Sequence, residues 1–135
     1  MEQKMNSPFR LLMNKDIYAI LDGDTQFEEY EFSDDGAKSA ISMPYLSGPN
    51  LCALCSMFGL PMTYTWGGVN YSRWQYLEKL FEHCIKVNRC SDLLAHLFEK
   101  QQFTKSFMGH DAEVIENAYN SYIHTILGKI NGILY

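Results

Sequence analysis

The sequence predicts a mainly α-helical domain of about five helices with one small antiparallel β-hairpin. Apolar residues recur at helical spacing in five separate windows. Most of those windows open on a residue that caps helix N-termini, among them Asn14, Ser72, Ser91 and Asp111. The stretch 26–46 breaks the pattern: it alternates β-favouring residues around a Ser33-Asp34-Asp35-Gly36 turn.

Ser7-Pro8 pairs a cap with proline at a first helical position, so 7–13 is open to a helical start. Asn14 caps a helix over about 15–22, with Ile17, Ile20 and Leu21 on one stripe and Asp22-Gly23 as its end. In the hairpin, Phe27, Tyr30 and Phe32 favour the first strand, and Ile41, Met43 and Tyr45 alternate onto one face of the second. Pro44 has no N–H to donate, which places that strand at an edge or ends it there.

Gly48-Pro49-Asn50 opens a helix over about 50–58, stopped by Gly59 and Pro61. Residues 62–70 form a loop. Ser72 and Gln75 make a capping box, with Tyr71 and Tyr76 placed as its hydrophobic staple. Trp74, Leu77, Phe81, Cys84 and Ile85 then share a face to about Val87. Ser91 caps a short helix carrying Leu93, Leu94, Leu97 and Phe98, and 101–110 reads as a loop. Asp111 caps the last helix, whose stripe is Val114, Ile115, Ala118, Tyr122, Ile123, Ile126 and Ile130.

The 135 residues make one domain, 1–135, large enough to bury about two thirds of its unfolded surface. Apolar content of 47% and charged content of 20% are ordinary for a globular chain. No run reaches the roughly 18 apolar residues of a membrane span, and Met1–Asn6 lacks a signal-peptide core. A cytoplasmic protein with no membrane partner is expected. The apolar end Ile133-Leu134-Tyr135 implies a natural polypeptide that continues.

Net charge is −5, with three Arg and eight scattered Lys. Nucleic acid is held mainly through Lys and Arg on phosphate, so direct nucleic-acid binding by this segment is not expected. Acidic residues concentrate between Asp22 and Asp35, which reads as a solvated rim. The ligand spacing of a calcium loop is absent there.

Cys52 and Cys55 form a C-x-x-C pair, with Cys84 and Cys90 farther on, and four soft ligands are what structural zinc needs. Against this, 51–58 reads as an apolar helix, and buried free cysteine is common in cores. Core packing is the preferred reading, zinc the lesser alternative, and no cofactor is expected. The four His have no i,i+4 partner that could form a metal pair. Arg89 and His96 carry the spacing of an Arg–His catalytic motif resembling that of HEPN ribonucleases, where Arg stabilises phosphorane-like charge and His moves a proton. Cys90, directly after the Arg, departs from that motif. No phosphate loop or nucleophile motif is present.

Met43-Pro44-Tyr45-Leu46-Ser47-Gly48-Pro49, an apolar helix ending in Phe58-Gly59, and Ser72-Arg73-Trp74 resemble the N-terminal region of bacterial abortive-infection (Abi) phage-resistance proteins of the AbiJ type. The resemblance covers 41–80 well, 120–135 loosely and the first 30 residues not at all. Cys52 and Cys55 stand where that family carries bulky apolar residues, in line with the core reading. The resemblance implies a modular protein. The effector, an RNA-directed HEPN-type domain, would lie beyond Tyr135. This segment would be a non-catalytic regulatory or sensor module, a homo-oligomer partnered with that effector.

Carried over by motif, the matching positions are Pro44, Tyr45, Leu46, Gly48, Pro49, Arg73 and Trp74. The expected interaction surface is Tyr45, Leu46, Pro49, Tyr71, Arg73 and Trp74. Tyr and Trp are enriched in interface hot spots, and Arg73 suits a carboxylate or phosphate. A structural alternative has Trp74 anchoring the core, Pro44-Tyr45 packing over it, and Arg73 capping a helix C-terminus.

Overall fold

The computed structural model describes residues 7–135. It is mainly helical with one two-stranded antiparallel sheet. The helices are α1 (Lys15–Leu21), α2 (Gly48–Met57), α3 (Arg73–Val87), α4 (Cys90–Leu97) and α5 (Ala112–Leu134). The strands are β1 (Glu29–Glu31) and β2 (Lys38–Ala40), and 3₁₀ turns span Pro8–Leu12 and Lys100–Phe107. No described helix is long and apolar enough to cross a membrane.

The element starts follow local chemistry. Asn14 accepts the Asp16 N–H at 2.8 Å and starts α1. Ser47 accepts the Asn50 N–H at 3.2 Å, so α2 begins two residues earlier than the sequence predicts, with Pro49 inside its first turn. Gln75 Oε1 accepts the Ser72 N–H at 2.8 Å, the Gln75 half of the expected capping box. At the end of α3, Asn88 adopts the left-handed conformation (φ 58°). The Arg89 N–H then closes on the Cys84 carbonyl at 2.8 Å. This turn restarts the chain so quickly that Arg89 occupies the cap position of α4, in place of the expected Ser91.

The hairpin is shorter than 26–46. Its ladder pairs Glu29 with Ala40, Tyr30 with Ser39 and Glu31 with Lys38. Ile41 and Met43 do turn into the core, but Tyr45 is 65% exposed. The chain leaves the sheet after Ala40, and the in-out alternation ends at Pro44, where the chain crosses the end of α1. The expected loop 101–110 is largely a 3₁₀ segment, because Phe103 and Phe107 are both buried and pull it inward.

α3 lies at the centre, against α1, α2 and α4, while α1 also meets α5. The α5 stripe behaves as expected, with Val114, Ala118, Tyr122, Ile126 and Ile130 buried. Phe32, Phe107 and Tyr122 form a chain of edge-to-face contacts between the hairpin, the second 3₁₀ segment and α5. The Tyr122 hydroxyl donates to the Ala40 carbonyl at 3.3 Å, and the Tyr119 hydroxyl donates to the Phe98 carbonyl. These bonds hold α5 against β2 and the end of α4, and so fix one wall of the cleft described next.

Candidate recognition site

The site is built around the crossing of two chain segments. α1 ends at Asp22, and Gly23 follows with φ +87°. A Cβ at Gly23 would stand 2.6 Å from the Tyr45 Cα and 2.7 Å from the Pro44 carbonyl oxygen. Only glycine permits this approach, by conformation and by space. The Leu46 N–H donates to the Asp22 carbonyl at 3.0 Å and locks the crossing.

Arg73, the first residue of α3, holds the crossing from outside. Its Nε donates to the Leu46 carbonyl at 2.7 Å, and one Nη to the Asp22 carbonyl at 2.5 Å. The other Nη pairs with the Asp24 carboxylate. The guanidinium also lies 3.9 Å from the centre of the Tyr45 ring. A planar fork can serve these acceptors and stack on a ring together, which a lysine ammonium cannot.

Among the described residues, Asp22 is the buried charged one. Its Oδ1 accepts the Asp24 N–H at 3.0 Å and lies 3.6 Å from Arg73, while Oδ2 has no partner. Burial pushes the carboxyl pKa up to about 6, with the Asp24 N–H and the Arg73 charge pulling the other way.

Beside this clamp, a cleft of about 200 Å³ opens between the 44–46 bend, α2 and the end of α4. Leu21, Met43, Leu54 and Leu97 form an apolar floor, and Asn50, His96 and Gln102 stand among its polar lining. A second depression, of about 730 Å³, shares Pro44, Leu46, Asn50 and Gln102 and extends to Tyr45 and Lys105. An apolar floor with a few convergent polar groups is the usual form of a ligand pocket.

The predicted surface residues separate. Leu46 lines the cleft and Tyr45 the neighbouring depression, while Pro49 sits in the first turn of α2 and lines neither. Arg73 is the clamp, its side chain 20% exposed, so the helix-capping alternative describes its contacts. Trp74 is half-buried against the core, with the Lys15 ammonium 4.7 Å from its ring. Tyr71 stands apart from the cleft, packed edge-on against Tyr76. It belongs instead to the margin of the 62–71 loop, where Trp66 and Val69 are exposed. Asp22, Asn50 and Gln102 were missed from sequence. Asp22 and Gly23 did carry a signal as a helix stop, but nothing in it pointed to residue 73.

The alternative chemistries find no assembled site. All four cysteines are free and buried. They do not come together as a ligand set: among the described residues the one cluster of metal-competent side chains lies elsewhere, at Asp34, Asp35 and His110. Burial pushes Cys55 up to about 12 and Cys84 up to about 11, away from thiolate chemistry. Arg89 pairs with Asp92 at 3.5 Å and lies over the Phe58 ring, and His96 meets the same ring in a T-shaped contact. His96 lines the cleft and Arg89 does not.

No protein-family model, curated protein or solved structure matches this chain.

Proposed function

We propose that this chain is a non-catalytic recognition domain, the regulatory part of an abortive-infection phage-defence protein whose effector lies C-terminal to it. The observation that carries the recognition reading is the cleft: an apolar floor with Asn50, His96 and Gln102 converging on it, beside a bend held in place by Arg73. Fixing the bend beforehand lowers the entropy cost of binding there. The defence assignment rests on the resemblance of 41–80 to AbiJ-type N-terminal regions. In this reading the domain works in the cytoplasm, as a homo-oligomer that restrains or triggers the attached effector.

The test uses the whole gene, read through Tyr135, and scores phage plating efficiency on cells that carry it. Ala53 is exposed and lines the cleft, so Ala53→Trp fills the space while leaving a helix-compatible residue at the surface. The expected result is protection by the wild-type gene and loss of protection by the variant, with unchanged circular dichroism. Full protection by a folded Ala53→Trp variant would remove the cleft as the working surface. A wild-type gene that protects against no phage tested would sink the defence reading and leave the cleft to be tested by ligand screening.

A further inference from the structure

The hairpin turn and the loop before α5 are 76 residues apart in sequence, yet they meet at one point. His110 Nδ1 lies 2.9 Å and 3.1 Å from the two Asp34 carboxylate oxygens and 3.8 Å from Asp35 Oδ2. One ligand atom from each of the three side chains lies within 4.8 Å of the other two. The acidic run alone gave no sign of this, because the nitrogen comes from a distant part of the chain.

The imidazole is held independently of the carboxylates. Its ring stacks flat on Phe32, with centroids 3.9 Å apart and planes 11° apart. Phe32 is itself buried, and the His110 side chain is only 10% exposed. The ring therefore keeps Nδ1 directed at the two carboxylates. A single N–H on that nitrogen satisfies Asp34. Asp35 Oδ2 faces the same nitrogen at a distance too long for a hydrogen bond. A divalent ion replacing the proton would serve all three groups together.

We propose that Asp34, Asp35 and His110 form a binding site for a divalent transition-metal ion of the zinc class. Zinc accepts His nitrogen and carboxylate oxygen at about 2.0–2.2 Å, and an open site has three protein ligands with water in the fourth position. Tetrahedral ligand atoms then sit about 3.4 Å apart, so closure opens the Asp34 contact slightly from 2.9–3.1 Å and draws Asp35 inward from 3.8 Å. That side chain is 54% exposed, and its Oδ1 accepts the Ala37 N–H at 2.9 Å, which leaves Oδ2 as the oxygen to turn inward. Calcium is disfavoured, since it takes six or more oxygens and no imidazole. One imidazole with two carboxylates suits zinc, cobalt, nickel or manganese. Bound metal would tie the hairpin to the start of α5 and stiffen the side of the domain that carries the Phe32–Phe107–Tyr122 contacts.

The test is isothermal titration of metal-free protein with Zn²⁺ at pH 7.5, with Co²⁺ spectra as a check on ligand type. About one ion per chain is expected, with a rise in melting temperature as metal is added. Affinity should fall at least about tenfold in His110→Ala and in Asp35→Asn, because each removes a ligand. The cobalt complex should lack thiolate charge-transfer absorption. Asp35→Asn changes an exposed side chain and keeps the fold, so it remains informative if His110→Ala is unstable. No binding up to millimolar metal would overturn the proposal. So would binding unchanged in Asp35→Asn, or a thiolate band that assigns the ion to the cysteines.

Discussion

Arg73 closes the C-terminus of α1 through the Asp22 carbonyl, 2.5 Å from its Nη, while the Asp22 carboxylate behind it keeps one oxygen without a partner. The arginine is committed mainly to backbone acceptors at this junction. The carboxylate is therefore buried without full compensation, and its raised pKa follows from that placement.

The first prediction concerns pH. The Asp22 pKa is about 6 folded against an ordinary 3.8. Between these values the folded protein binds more protons than the unfolded chain, so this residue makes stability fall as pH rises from about 4 to about 6. The penalty is complete near pH 7 and is on the order of 3 kcal/mol. Asp22→Asn keeps an acceptor for the Asp24 N–H and removes the charge. It is expected to be more stable than wild type at pH 7, by about 1–3 kcal/mol, and equal to it near pH 4. Urea titrations of both proteins across this range measure the difference. Comparing the two cancels carboxylates of opposite sign, such as Asp34, whose pKa its hydrogen bond to His110 lowers. A constant gap at every pH would show that Asp22 does not titrate in this window.

The second prediction separates clamp from surface. Arg73→Lys keeps the charge but loses the planar fork, and is expected to cost about 2 kcal/mol or more. Tyr45→Ala removes a ring that is 65% exposed and is expected to cost under about 1 kcal/mol. Chemical denaturation of the two variants gives both numbers. If Arg73→Lys were as mild as Tyr45→Ala, the bend would not depend on the guanidinium.

The third prediction is chemical. Cys52, Cys55, Cys84 and Cys90 are all buried, and burial holds Cys55, Cys84 and Cys90 above the ordinary thiol range. A thiol reagent at pH 7.5 should therefore label the native protein slowly and the urea-unfolded protein at all four positions. Fast labelling of a single cysteine under native conditions would point to a reactive thiol that the fold does not explain.

Much of this fold was legible because its signals are local. The Asn14 cap, the Ser72–Gln75 pair and the α5 stripe act within a turn or two, and each stands where the spacing put it. The second 3₁₀ segment was not legible. Phe103 and Phe107 are too sparse to mark a helix, and what orders them is contact with Tyr119 and Tyr122 of α5. The site was half legible. Pro44, Gly48 and Pro49 mark a bend; Leu46 lines the cleft, and Tyr45 lines the depression beside it. The opposite wall comes from His96 and Gln102, about fifty residues away in sequence; the spacing to Arg89 marked His96 for another chemistry, and no local pattern sets Gln102 apart. Arg73 was readable as a helix-capping or a partner-binding residue. Only the positions of Asp22, Asp24 and Leu46 show which contacts it makes.

Every acceptor that Arg73 holds is made before it during synthesis. The Asp22 carbonyl, the Asp24 carboxylate and the Leu46 carbonyl leave the ribosome first, and the guanidinium that joins them follows 27–51 residues later. The N-terminal half therefore lacks this clamp until α3 is made. Its helix end and bend are completed retroactively, when α3 arrives and folds back on them. Until then the nascent chain presents Leu21 and Met43, two floor residues of the future cleft, without their final cover, a stage at which chains are prone to associate.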